Sequence, residues 1–188
     1  NPNLTCINVD DVTYSTTNWT GIDAQHYFSN NCPPPQTYVP DDNFEVYLEA
    51  NGMGDGIANN DSVTTSNIVG ITFLNISSKA ISDLTGIEDF TALSILYCNS
   101  NQLTNLDVSN NTALTDLRCG LNQLTSLDVS QNTALTVLSC YNNQLNNLDV
   151  SNNTALISLE CYFNQLTSLD LSQNTALTVL SCYNNQLN

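Results

Sequence analysis

The chain has 188 residues, of which 41% are apolar, and this is enough to bury a hydrophobic core. Its 18 Asp and Glu face only two basic residues, Lys79 and Arg118, so the formal net charge is −16. That charge excludes nucleic acids and anionic membranes as expected partners, because neutralising phosphates requires clustered cations. No stretch reaches the roughly 18 apolar residues that membrane insertion requires.

Residues 1–32 begin with a frame, "NPNLTCINV", that overlays the segment from Asn111 to Cys119. The pattern is then lost through "DDVTYSTTNWTGIDAQHYFSNNC". This arrangement resembles the closing flank that follows leucine-rich repeat arrays in secreted proteins of the Bacteroidetes, particularly flavobacteria. The resemblance implies that residues 1–32 are the C-terminal cap of a preceding array. It also implies a disulfide between Cys6 and Cys32 and therefore an oxidising compartment.

Residues 33–37 are predicted to be a stiff, proline-rich linker. Residues 38–70 then form an expected N-terminal cap, because "PDDNFEVYLEANG" has the start signals of a helix at Asp41 or Asp42 and a stop at Gly52. Such a helix would shield the first apolar repeat from water. Its apolar side is formed by Phe44, Tyr47 and Leu48.

The cap loop "NGMGDGIANND" is rich in oxygen donors, and Asp55 and Asp61 are weak calcium candidates. The loop lacks the alternating acidic spacing and the terminal Glu of an EF-hand. A loop of tight turns is the competing interpretation, and no other cofactor is expected.

Residues 71–188 repeat with a period of 21 residues. The frame L-x-x-L-x-C-x-x-N-Q-L resembles the leucine-rich repeat, with Cys in place of a Leu, and "ITFLNISSKAISDLTGIEDFTAL" resembles an internalin-style first repeat. A fixed period of this kind predicts a solenoid, in which each repeat buries its apolar side against its neighbours. We call each repeat a coil. The expected fold is a leucine-rich repeat solenoid of short parallel strands, mostly strand and loop, whose last coil is truncated.

Each coil contains two similar halves, since Leu96-x-Cys98-x-x-Asn101 is echoed by Leu106-x-Val108-x-x-Asn111. This nested pattern predicts two short strands per coil, and therefore two parallel sheets on opposite sides of the solenoid.

Two rows of identical residues recur once per coil. The cysteines are expected to be buried free thiols that act as small hydrophobic groups, and a metal site is the weaker alternative. The asparagines are expected to bond bare backbone groups where the chain bends. The cysteine row is Cys98, Cys119, Cys140, Cys161 and Cys182, and the strand-side asparagine row is Asn101, Asn122, Asn143, Asn164 and Asn185.

The variable positions beside the cysteines are expected to face outward, and in the family that the chain resembles they usually form the ligand-binding surface. One of these columns becomes an aromatic row in the later coils. Stacked aromatic rings suit a glycan or an extended protein surface, but they also stabilise parallel sheets without any ligand. The candidate binding residues are Tyr97, Arg118, Tyr141, Glu160, Tyr162, Phe163 and Tyr183.

A row of carboxylates also recurs with the repeat. Carboxylates stacked about 4.8 Å apart repel each other unless they are bonded. Calcium is one explanation, and acceptance of turn amides in "LDVSxN" is the favoured one. The aspartate row is Asp107, Asp128, Asp149 and Asp170.

Catalysis is not expected, because the sole histidine, His26, lies in the flank and no pattern places a nucleophile beside it. The predicted function is a non-catalytic extracellular module that builds or presents a surface for adhesion or assembly, stacking end to end with neighbouring copies or repeat modules. That expectation follows from the absence of a cap after Asn188. Two alternatives stay open, a module that recognises a glycan or protein on the tyrosine-rich face and an accessory domain of a larger secreted enzyme. The resemblance implies a bacterial cell-surface location reached through the type IX pathway.

Overall fold

The computed structural model describes residues 6–22 and 26–188. They divide into two compact units, Asn1–Pro35 and Gln36–Asn188. None of the helices in the described part is long and apolar enough to cross a membrane.

In the described residues of the first unit there are two short parallel strands and one helix. Strands β1 (Cys6–Asn8) and β2 (Tyr27–Ser29) pair in parallel, and helix α1 (Val12–Asn18) is capped by the Asp11 side chain, which accepts from the Tyr14 amide. Cys6 and Cys32 form the expected disulfide. Residues 1–5 of the predicted overlay lie outside the described residues.

The second unit begins with a cap built on strand β3 (Gln36–Tyr38), which pairs antiparallel with β4 (Ser62–Thr64). Gln36 and Thr37 were expected in the linker, but they belong to β3. Thr37 is buried, and its hydroxyl is satisfied because it donates to Asp89 at 2.6 Å. The predicted helix is present as α2 (Asp42–Ala50), and a single turn, α3 (Thr65–Ile68), follows β4.

Asp41 joins the cap helix to the first coil. One carboxylate oxygen accepts the Asn43 and Phe44 amides, which are orphan donors of the first helical turn. The other accepts the Ser82 amide and hydroxyl and the Asp83 amide, all within 3.1 Å. Burial raises the pKa of Asp41, but the combined hydrogen bonds outweigh it and the pKa is lowered.

The coils contribute one parallel sheet of six strands in sequence order. Residues 21 positions apart pair directly, as Leu117 does with Leu138 and Leu138 with Leu159, so the repeat period sets the strand register. A 3-10 turn, Ile87–Asp89, lies between the first two strands. The strands are β5 (Phe73–Asn75), β6 (Ile95–Tyr97), β7 (Asp116–Arg118), β8 (Val137–Ser139), β9 (Ser158–Glu160) and β10 (Val179–Ser181).

A single hydrophobic core runs from the cap helix through the coils. Phe44 of α2 stacks on Phe90 of the first coil with ring centroids 6.3 Å apart, so the cap covers the apolar end of the array. Within one coil, the core residues Leu114, Leu117, Cys119, Leu124 and Val129 are all fully buried. Each such Leu contributes about 1.5–3 kcal/mol.

The predicted second sheet is not formed, because no strand occurs between successive β-strands of the described coils. The Leu106–Asn111 half instead folds into successive tight turns, in which the Asn111 amide donates to Val108 O and the Leu114 amide to Asn111 O. Because the tight turns pair these backbone amides and carbonyls within one coil, few of them remain to form a strand ladder with the next coil. The two similar halves of a coil therefore share a pattern of inward-facing residues, but only the first half forms a strand.

Candidate functional site

The strand-side asparagine row lies just after the strands and joins each coil to the next. The Asn143 Nδ2 donates to Cys119 O of the preceding coil and to Cys140 O of its own, both at 3.1 Å. Its Oδ1 accepts the Leu124 amide at 3.0 Å. Both ends of the amide are therefore satisfied, and Asn122 and Asn164 repeat the pattern.

In each coil, the residue of the cysteine row comes three positions before the asparagine of the strand-side row. Four of the thiols are fully buried, Cys182 is partly exposed, and none of the five forms a disulfide. Burial raises the pKa of Cys98 and Cys161 to about 12. These thiols are therefore poor nucleophiles and poor metal ligands at neutral pH, because both roles require the thiolate.

A second buried asparagine row, which we call the turn-side row, was not predicted. Its Nδ2 atoms donate across coils, as Asn132 does to Val108 O and Asn111 O at 2.9 Å. Its four Oδ1 atoms have no hydrogen-bond partner among the described residues. The signal was present in the sequence as a 21-residue spacing in "NNTAL" and "QNTAL". The row is Asn111, Asn132, Asn153 and Asn174.

The aspartate row accepts turn amides, as the favoured interpretation predicts. Asp128 Oδ1 accepts the Ser130 amide at 2.8 Å, and Asp107, Asp149 and Asp170 each accept the amide two residues on. The Ser130 backbone amide, followed by its side chain, lowers the pKa of Asp128. The other three carboxyls have lowered pKa values for the same reason.

One calcium candidate of the cap loop, Asp55, already accepts hydrogen bonds within the loop. Asp55 accepts from the Asn60 side chain at 3.0 Å and from the Ile57 amide at 2.9 Å, and these bonds lower its pKa in that order. Buried Glu45 accepts the Asn60 and Asp61 amides at 3.0 Å. Glu45, Asp61 and Asp42 each bring an oxygen within 4.8 Å of the others. Calcium here stays a prediction.

The outward side of the sheet carries two separate clusters of candidate residues. In the first, Arg118 lies over the Tyr97 ring, 4.6 Å from its centroid, and pairs with Asp116 at 3.0 Å. The Tyr97 hydroxyl donates to the same carboxylate at 3.1 Å, and Phe73 meets Tyr97 edge to face at 5.6 Å. Tyr97 and Arg118 are thus engaged with each other through Asp116.

The second cluster is the tyrosine row, Tyr141, Tyr162 and Tyr183. Successive rings stack with centroids 4.7 Å apart and planes 10° and 9° from parallel. The row begins over Gly120, where a Cβ would lie 2.6 Å from a Tyr141 ring carbon, so a larger residue there would require the Tyr141 ring to shift. Burial, followed by the neighbouring rings and the Glu160 carboxylate, raises the pKa of Tyr162.

Phe163 extends this row sideways. Its ring meets Tyr162 at 5.7 Å and Tyr183 at 5.6 Å, both edge to face, while 49% of the residue is exposed. Glu160 ends strand β9 two residues before Tyr162, and its Oε2 accepts the Ser139 hydroxyl at 2.8 Å. The structure therefore brings Tyr141, Glu160, Tyr162, Phe163 and Tyr183 together and places Tyr97 and Arg118 in the other cluster.

Comparison with known proteins supports the fold and gives a relative. No family model matches the chain. The chain is 38% identical over 123 residues to Internalin J of Listeria monocytogenes, a match that covers 59% of the chain and only 13% of that protein. The chain has an internalin-like leucine-rich repeat fold.

Solved structures agree with this assignment. The internalin InlF of Listeria monocytogenes matches with a TM-score of 0.73 at 26% identity, over 80% of this chain and 45% of that one. A leucine-rich repeat protein of Leptospira interrogans matches with a TM-score of 0.59 at 24% identity, over 66% of this chain and 34% of that one. The chain thus spans less than half of each of these three proteins.

Proposed function

We propose that the chain is a non-catalytic extracellular module that adheres to a protein partner through the outward side of its later coils. The observation that carries the proposal is the continuous aromatic surface formed by the half-buried Tyr141 and Tyr162 and the exposed Tyr183 and Phe163. Aromatic residues supply much of the binding energy of protein interfaces. The similarity of the chain to internalins supports a role in recognition.

The chemistry of the described side chains supports a non-catalytic role. The four fully buried thiols of the coils have raised pKa values because of burial, and this keeps them protonated. The aspartates of the coils accept turn amides, which holds them in the carboxylate form and suits them poorly to donating a proton.

An extracellular location is supported by the disulfide between Cys6 and Cys32, since such bonds persist in oxidising compartments. The bacterial cell surface, an origin in the Bacteroidetes and export by the type IX pathway stay predictions. The sequence and genomic setting of the parent gene would check all three.

The test compares Tyr162→Ser with the wild type on arrays of synthetic peptides, purified extracellular proteins and glycans. We expect the wild type to bind one or more of the arrayed proteins or peptides. The affinity of the variant for the same molecules should be lower by at least about tenfold, as for an interface anchor. Tyr38→Ser is the control for loss of a tyrosine away from the row, because Tyr38 lies in the cap and is 60% exposed, whereas Tyr162 is half-buried. Thermal unfolding of each variant shows that it is folded.

Two outcomes would contradict the proposal. If Tyr162→Ser only lowers stability and leaves every binding signal intact, the rings serve only to stack the coils. If the signals that depend on Tyr162 come from glycans alone, the glycan-recognition hypothesis replaces the protein one.

End-to-end stacking and a role beside a secreted enzyme also stay predictions. Stacking predicts a sedimentation coefficient that rises with protein concentration, and a constant monomer value would exclude it. The enzyme hypothesis predicts catalytic sequence elsewhere in the parent gene.

A further inference from the structure

One column of residues beside the tyrosine row has a left-handed backbone in every coil. Its φ angles lie between 50° and 58°. Asn tolerates this conformation relatively well, whereas bulky side chains without a local hydrogen bond are disfavoured. We call these residues the left-handed column: Ser78, Ser100, Leu121, Asn142, Phe163 and Asn184.

Leu121 and Phe163 depart from this rule. Both adopt a backbone conformation that disfavours them, and both are exposed, at 39% and 49%. The neighbouring coils place Asn142 and Asn184 in the same conformation, so the fold itself accepts a better-suited residue. Strain at an exposed apolar residue favours a functional role over a stabilising one.

The charges around this column indicate what would bind there. Both basic residues of the chain already lie on tyrosine rings, Arg118 on Tyr97 and Lys79 on Tyr47 at 5.6 Å. Glu160, beside the tyrosine row, forms no ion pair within the described residues, although its charge contributes, after Asp116 and Tyr97, to raising the pKa of Arg118. The surface therefore offers aromatic rings, two apolar side chains and a carboxylate without an ion-pair partner among the described residues, within a chain of net charge −16.

We propose that Leu121 and Phe163 are specificity-determining anchors for a basic protein segment, whose apolar side chains contact them while a Lys or Arg pairs with Glu160. This inference rests on the proposed function and adds to it the partner's chemistry and the residues that select it. Charge complementarity favours such a partner over an acidic or neutral one.

The spacing of the two anchors suggests a defined probe. Leu121 and Phe163 are two coils apart, which at the spacing of adjacent strands is about 9–10 Å. Residues i and i+3 of a polyproline II segment lie on one side at a similar distance, about 9.3 Å. The probe is a synthetic 12-residue peptide with Leu at every third position and Lys between. Its two matched controls replace all Lys by Glu or all Leu by Ser.

The first measurement is binding of these peptides by fluorescence anisotropy at low and high salt. We expect the Lys–Leu peptide to bind at least tenfold more tightly than either control peptide, and to weaken with salt. Leu121→Asn, Phe163→Asn and Glu160→Gln should each weaken it, while Val46→Asn, at an exposed apolar position of α2, should leave it unchanged.

The second measurement separates a binding role from a structural one. Because Asn suits the left-handed backbone, Leu121→Asn should leave the Tm unchanged or raise it by up to about 2–4 °C. The reverse change, Asn142→Leu, should lower it. A drop in Tm of more than about 2 °C for Leu121→Asn would show that Leu121 stabilises the coil, and would overturn its assignment as an anchor.

Failure of this inference is distinguishable from failure of the proposed function. Equal binding of the Lys and Glu peptides, or preference for the Glu peptide, overturns the basic partner. If array binding still depends on Tyr162, the recognition function stands with a partner of other chemistry. If neither peptides nor arrays show binding that depends on Tyr162, both proposals fail.

Discussion

The two buried asparagine rows join the same coils with different degrees of hydrogen bonding. In the strand-side row, Asn143 uses both ends of its amide, and its Oδ1 is the acceptor for the buried Leu124 amide. In the turn-side row, Asn132 donates to Val108 O and Asn111 O, which already accept the backbone amides of Asn111 and Leu114. Equal burial and equal repetition therefore do not mean equal contributions to stability.

The largest effect is expected for Asn143→Ala. The substitution leaves the Leu124 amide buried without an acceptor, and such a group costs about 1–3 kcal/mol in addition to the lost bonds. We expect a loss of about 2–4 kcal/mol in the free energy of unfolding, measured by urea denaturation. Cys119 O and Cys140 O keep Asn122 and Asn164 as donors, so the effect should stay local. A loss below 1 kcal/mol would contradict this account.

Asn132→Ala should cost less. The two carbonyls that lose the Asn132 donor keep their backbone partners, and the change also removes a buried oxygen that has no partner among the described residues. We expect a loss of about 0.5–1.5 kcal/mol, the net value of ordinary hydrogen bonds. If Asn132→Ala costs as much as Asn143→Ala under the same conditions, the distinction between the rows is wrong.

Acid should act on the turn side of the coils through the aspartate row. These carboxyls have lowered pKa values because they accept Ser amides. Their contribution is therefore fully present above the unfolded value, near 3.8, and is lost as the pH falls through the lower folded value. Tm measured from pH 6 to pH 2 should decline below about pH 4. In Asp128→Asn the decline should be smaller, and an unchanged profile would exclude this carboxyl as a contributor.

The smallest effect is expected for Asn152→Ala, which serves as the control for Asn132→Ala. Asn152 is exposed, and its Nδ2 reaches Ser130 O at 3.4 Å. We expect a change within about 0.5 kcal/mol, as for most surface substitutions. A larger loss would show that the asparagines of these turns act through backbone propensity and not through burial.

The strand-side half of the fold was predictable because the same contacts between neighbouring coils recur every 21 residues. A 21-residue spacing forces Leu117 beside Leu138 in the sheet, and it aligns the asparagines and the tyrosines by the same rule. The turn-side row carried the same signal but was missed, because the nested echo of Leu106 and Val108 suggested a second strand. Leu121 was also missed as a candidate, although it interrupts a column of Ser and Asn.

The sequence by itself determined the coil, its period, the inward leucines and cysteines, and the position of the cap helix, since all of these follow from local pattern and nearest-neighbour stacking. Only the tertiary structure decided which backbone groups remain for pairing between coils, and therefore that one sheet forms and not two. It also decided that Leu121 and Phe163 lie in a left-handed backbone. The physical reason is that hydrogen-bond competition and φ angles depend on how successive coils close upon each other, and residue identity alone does not specify them.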